Sequence, residues 1–149
     1  MRIVLRSSSL LFSVLGITAN VPVHKVVPVL RRGSADRIRI GAAASELFGI
    51  FGKNLKVDRK SGTIDAFLAS PLLQRRPDLS FQLENGVVTS IKVFSRRYKT
   101  EAGIGVGDSI VTLANRYQVR WPQDGLAEVE TLSMKFRIEN DRIAWILLS

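Results

Sequence analysis

Apolar residues recur along this chain in two rhythms, and each rhythm occurs twice. Counting from Gly41, positions +3, +6, +7 and +10 are Ala44, Leu47, Phe48 and Phe51; counting from Gly107 they are Ile110, Leu113, Ala114 and Tyr117. Spacing of i, i+3, i+4, i+7 draws one apolar stripe down a helix of about three turns. The residues leading in also match, Ile38-Arg39-Ile40-Gly41 against Ile104-Gly105-Val106-Gly107. In the second copy Asp108 or Ser109 can accept from the open N–H groups of the first turn. The first copy has Ala42 and Ala43 there, a weaker cap, and Gly52 suits a stop after Phe51.

The other rhythm alternates. Phe81, Leu83, Glu84, Asn85, Val88, Ile91 and Val93 align with Phe136, Ile138, Glu139, Asn140, Ile143, Ile146 and Leu148. Each block reads as strand, turn, strand. Asn85-Gly86 is a two-residue hairpin signal because both residues tolerate positive φ, and Asn140-Asp141 is a weaker version. Leu79, Phe81 and Leu83 are expected on one side of the sheet, as are Met134, Phe136 and Ile138.

The helix blocks lie 66 residues apart and the hairpin blocks 55, so the first copy holds 11 more residues in between. Strands are predicted there near Leu55–Val57 and Ile64–Leu68, with turns at Ser61-Gly62 and Pro71. The second copy has Val119–Trp121 and a turn at Pro122-Gln123-Asp124-Gly125. The fold class expected is α+β, two tandem helix-plus-antiparallel-hairpin units sharing one layer sheet, each helix followed by three or four strands. The expected organisation is a signal peptide over 1–19, a linker over 20–37, a first unit over 38–100 and a second over 101–149.

The order apolar-Gly, short capped helix, aromatic near the helix end, strand, Asn-Gly-type turn, strand resembles the fold of the β-lactamase inhibitor protein family. It is also similar to the small lipoprotein of outer-membrane barrel assembly. The stretch from Ser80 to Tyr117, with Thr100-Glu101-Ala102-Gly103-Ile104-Gly105-Val106-Gly107-Asp108-Ser109, looks like proteobacterial envelope lipoproteins. The resemblance covers about residues 38–149. It implies an envelope domain that binds another protein on the concave face of its sheet. The lipidated Cys of the lipoproteins and the disulfides of the inhibitor have no counterpart, because the chain has no Cys.

Two features bear on location. Arg2 and Arg6 precede an uncharged run of 17 residues, Ser7 to Val23, with Leu10, Leu11, Phe12, Val14, Leu15 and Ile17 at its heart and small residues near Thr18-Ala19. That is the layout of a secretion signal, and it is short for a membrane span. An uncleaved anchor, a transit peptide or a native core element are the competing readings. The expected location is periplasmic or secreted. Charge is uneven: residues 1–37 hold six bases and one acid, 38–100 eleven and five, 101–149 five and seven, giving the net +9. The basic excess of the N-terminal two-thirds favours an anionic partner.

Candidate chemistry is sparse. The one His, His24, stands beside Lys25 in the linker, so no triad or His/Cys metal cluster can be assembled. The run Gly103-Ile104-Gly105-Val106-Gly107 lacks the Lys-Ser/Thr of a phosphate loop and reads as a strand-to-helix turn. Glu84 and Glu139 in matching turns offer acid chemistry only weakly. No catalytic, cofactor or metal residues are assigned. The candidate binding residues are Arg75, Arg76, Arg96, Arg97, Tyr98, Lys99 and Trp121: bases with an interleaved aromatic, and a Trp beside a turn that can anchor an interface. Trp145, on the last strand, is expected in the core. The first reading is a non-enzymatic, exported protein-binding domain with an envelope protein partner. The alternative is an intracellular or organellar binder of nucleic acid or anionic lipid through the basic first unit; a secretion signal argues against nucleic acid.

Overall fold

A computed structural model describes residues 27–69 and 71–149. The expected signal segment, residues 20–26 of the linker and His24 lie outside the described residues. The chain enters as three short strands, β1 (Val29–Arg31), β2 (Ser34–Ala35) and β3 (Ile38–Arg39). Helix α1 (Ala44–Phe51) follows, then β4 (Leu55–Asp58), β5 (Thr63–Ala66), β6 (Leu79–Glu84) and β7 (Val87–Val93). After β8 (Lys99–Thr100) comes α2 (Ile110–Arg116), then β9 (Arg120–Gln123), β10 (Leu126–Val129), β11 (Met134–Glu139) and β12 (Arg142–Leu148).

This overturns the expected fold class. The protein is mostly β, built on a large antiparallel sheet of eight strands and a mixed sheet of four, and is not a pair of helix-plus-hairpin units. The large sheet has the order β4-β5-β6-β7-β12-β11-β10-β9 and the small one β3-β2-β1-β8. Two causes are visible. The segments between helix and hairpin extend the hairpins, β5 pairing with β6 and β10 with β11, so each helix is followed by a four-stranded block. Residues 29–35, within the stretch read as linker, pair antiparallel through Leu30↔Ala35 and lie parallel to β8 through Leu30↔Thr100.

The helices are also smaller than their periodicity predicts. Each has about two turns and fully buries one side chain, Leu47 or Leu113. Phe48 and Ala114, expected on the apolar stripes, are exposed. Helix α2 is capped by Ser109, whose Oγ accepts from the Thr112 N–H at 3.1 Å, whereas Ala43 gives α1 no side-chain cap.

The two halves nevertheless share inner-face chemistry. Strands β6 and β11 have the same alternation of buried and open positions, and so do β7 and β12. The hairpin turns fall at Asn85-Gly86 and Asn140-Asp141, all four with positive φ, as a two-residue turn of this type requires. The loop before each helix then docks on the strand after the turn. The N–H of Gly41 donates to the carbonyl of Val88, and that of Gly107 to the carbonyl of Ile143, both at 2.8 Å. Gly41 and Gly107 sit at φ 98° and 94°, a conformation that side chains resist. The glycine motif and the hairpin motif, far apart in each copy, are hydrogen-bonded partners in space.

One core results. Leu79, Phe81, Ile91 and Val93 of the first half, with Met134, Phe136, Ile146 and Leu148 of the second, pack against Leu47, Leu113, Leu30 and Ile38. The helices and the small sheet therefore cover the inner face of the large sheet. Burying side chains of this size stabilises by roughly 1.5–3 kcal/mol each. Among the described residues, no helix is long and apolar enough to cross a membrane.

Candidate functional site

The outer face of the large sheet is the surface that the helices and small sheet do not cover. Its registers fix which side chains stand together. One row runs across all eight strands: Lys56 opposite Asp65, Asp65 opposite Ser80, Ser80 opposite Lys92 and Lys92 opposite Leu147. It continues with Leu147 opposite Lys135, Lys135 opposite Glu128 and Glu128 opposite Arg120.

At the seam between β7 and β12, where the halves join, this face is basic and aromatic. The Nζ of Lys92 lies 4.4 Å from the ring centre of Trp145 and 6.0 Å from that of Phe94. The guanidinium of Arg137 sits 5.8 Å from Trp145, and that of Arg76 5.4 Å from Phe94. Cations over ring faces at these distances attract the rings' negative quadrupole. Among the described residues, the four salt bridges are Arg31–Glu101, Arg37–Asp36, Lys99–Asp108 and Arg120–Glu128. None of the seam cations takes part, so Arg76, Lys92, Lys135 and Arg137 keep uncompensated charge. The acids in the row are already engaged: Asp65 accepts from the Ser80 hydroxyl at 2.7 Å, and Glu128 is held by Arg120.

A β-bulge makes this site. Arg137 pairs with Trp145 but the next residue, Ile138, pairs with Ile143, so Ala144 is extra. The added residue reverses the alternation and turns Trp145 outward, half-buried, where it was expected in the core. The same bulge occurs in the first half, where Gln82 pairs with Ser90 and Leu83 with Val88. The inner faces of the two halves match, Leu79 with Met134 and Phe81 with Phe136. The outer faces do not: Ser80 has Lys135 as its counterpart, Gln82 has Arg137 and Ser90 has Trp145. The duplicated pattern serves the core, and the seam is particular to this surface.

The residues expected to bind are dispersed. Arg75 and Arg76 are exposed in the loop before β6, and only Arg76 reaches the seam. Arg96 packs its guanidinium beside Gly107. Arg97 borders a cavity on the opposite side of the sheet. Lys99 lies in β8 with its Nζ 3.5 Å from Asp108. Tyr98 is 4% exposed and unable to stack on an external ligand; burial is the main cause that pushes its phenol up to about 12. Trp121 is 47% exposed on the edge strand β9, away from the other candidates. The residues missed were Lys92, Lys135, Arg137 and Trp145. Lys92, Lys135 and Arg137 could have been found by taking the positions between the buried ones in each hairpin; Trp145 also needed the bulge.

No group of His, Cys, Asp and Glu among the described residues could hold a metal ion. The chain matches no protein family model, and neither a curated protein nor a solved structure matches it.

Proposed function

We propose that this chain is a non-catalytic, exported envelope domain that binds an acidic protein surface on the outer face of its large sheet. The observation that carries the reading is the seam: half-buried Phe94 and Trp145 beneath three cations, Arg76, Lys92 and Arg137, that have no carboxylate partner among the described residues. Rigid aromatics supply contact area at low entropic cost, and the cations steer an acidic partner and set its register. The secretion-signal layout of residues 1–19 supports export. A nucleic acid is the less favoured partner. The same secretion-signal layout that supports export argues against it.

The test is retention of proteins from an envelope extract on the immobilised full chain, beside a Lys92→Glu/Arg137→Glu variant of unchanged fold. A defined acidic protein should be held by the wild type, lost by the variant and weakened by salt at about 0.3 M, where screening shortens the reach of surface charge. Equal retention by both chains would overturn the reading. Selective binding of a fluorescent single-stranded oligonucleotide, lost in the variant, would replace it with the nucleic-acid alternative.

A further inference from the structure

We propose that the loop between β5 and β6 inserts its tip into an anionic lipid bilayer, Leu72 and Leu73 entering the acyl boundary while a collar of cations meets the lipid phosphates. The site lies at one end of the large sheet and does not depend on the seam. Leu72 is 94% exposed and Leu73 83%; among the described large apolar side chains the next is Val111 at 63%. A single exposed leucine is ordinary, but these two are adjacent and raised on one loop. The corresponding link in the second half, between β10 and β11, is the short 3-10 turn Glu130–Leu132. The leucine tip is thus an addition to the shared pattern, outside the core that both halves build.

Side chains close the base of the loop. The Gln74 Oε1 accepts from the Ala69 N–H at 2.7 Å, and its Nε2 donates to Asp78 Oδ2 at 2.9 Å. The same carboxylate oxygen accepts from the Leu68 N–H at 2.7 Å. These bonds tie the two arms together behind Pro71, Leu72 and Leu73.

Cations surround that base. Arg75 and Arg76 are exposed directly after the tip, and neither forms a salt bridge among the described residues. Backbone bonds bring two more to this end of the sheet. The Phe67 N–H donates to the Asn54 carbonyl at 2.9 Å, which sets exposed Lys53 at the first arm. The N–H groups of Phe94 and Ser95 donate to the Asp78 carbonyl at 2.9 and 3.3 Å, which brings in exposed Arg97. Arg76 stands on the outer side, over Phe94, and Arg97 on the inner side, where it shares a cavity wall with Leu68. Of the nearby acids, Asp78 is held by the loop's own donors and Asp36 by Arg37 at 3.8 Å.

An apolar tip bounded by cations fits a bilayer surface. The leucines leave water for the acyl boundary, and the arginine stems stay apolar while their guanidiniums remain among the phosphates. A nucleic acid would leave the leucines in water, and an acidic protein would need a hollow to receive a convex tip.

The chain has no Cys, so Leu73→Cys carries a single environment-sensitive fluorophore. A readout local to the loop separates this contact from any made by the uncharged run Ser7–Val23. The full labelled chain is mixed with vesicles of equal parts phosphatidylcholine and phosphatidylglycerol, and with phosphatidylcholine alone. A blue shift, and quenching by brominated acyl chains, are expected with the anionic vesicles, with binding at least about tenfold weaker to the neutral ones. The same label at Trp121→Cys, on the opposite edge strand, should stay aqueous. Arg75→Gln/Arg76→Gln should weaken the anionic binding about fivefold per residue. In the unlabelled chain, Leu72→Ser/Leu73→Ser should lower co-sedimentation with the anionic vesicles at least about tenfold; both side chains are exposed, so the fold is left intact. An aqueous label at position 73, equal binding to both vesicles, or undiminished sedimentation of Leu72→Ser/Leu73→Ser would overturn the proposal. A shift produced instead by the soluble proteins of an envelope extract would put a protein in the lipid's place.

Discussion

Replacing Lys92 by Met keeps the side-chain stem over the seam and removes its charge. Lys92 has one close aromatic partner, Trp145 at 4.4 Å, and a second at the limit of the interaction, Phe94 at 6.0 Å. A cation–π contact contributes about 0.5–1 kcal/mol at exposed sites and about 2 when desolvated. These groups are half-buried, which puts the Lys92–Trp145 coupling near 1 kcal/mol. The assay is a double-mutant cycle of Lys92→Met and Trp145→Leu by urea unfolding, in which the coupling is the departure from additivity. At an m value of about 2 kcal/mol/M, it corresponds to a midpoint difference of roughly 0.5 M urea. The coupling should largely survive at about 0.5 M salt, because a half-buried contact is screened less than an exposed pair. A coupling below about 0.2 kcal/mol would mean that the seam is an unorganised group of surface side chains.

Other expectations follow from local chemistry. Ser109→Ala removes the α2 cap and should cost about 1 kcal/mol in chemical unfolding, whereas Ala43→Ser adds the missing cap at an extended, exposed position and should stabilise α1 by up to about 1 kcal/mol. Tyr98 has a folded value pushed up to about 12 from an ordinary 10. Its stabilising contribution is therefore complete below pH 10 and is lost as pH rises toward 12, by roughly 2–3 kcal/mol. Unfolding measured between pH 9 and 12 should show that loss in the wild type and a shallower one in Tyr98→Phe.

The inner face of the large sheet was legible in the sequence because alternation with a period of two survives in both hairpins. Phe81 and Phe136 occupy the same buried position, and the Asn-led turns fix the register around them. The small sheet was not legible. Its strands run two or three residues, too short for any period, and they are held by contacts across 70 positions of chain such as Leu30↔Thr100. The helices were overextended because an apolar spacing counts residues that the stripe does not bury. Phe48 belongs to that spacing and is 48% exposed. The candidate site was half legible. The basic excess was visible, but its members could not be placed. Tyr98 among arginines reads as an exposed stacking platform, while its backbone packs under Gly105, where a Cβ would come within 2.5 Å of the Tyr98 carbonyl oxygen. Trp145 reads as core until Ala144 is recognised as an extra residue, a property of the pairing and not of the strand alone.

Site-specific photo-crosslinking in the organism of origin would show whether a partner is held on the outer seam. A photoreactive residue at Leu147, between Lys92 and Lys135 on the outer face, is compared with one at Glu46, exposed on α1 on the covered side. A discrete adduct with one acidic protein is expected from position 147, absent when Lys92 and Arg137 are changed to Glu, and none from position 46. An adduct from position 46 alone, or one at position 147 that persists in the Lys92→Glu/Arg137→Glu chain, would contradict it.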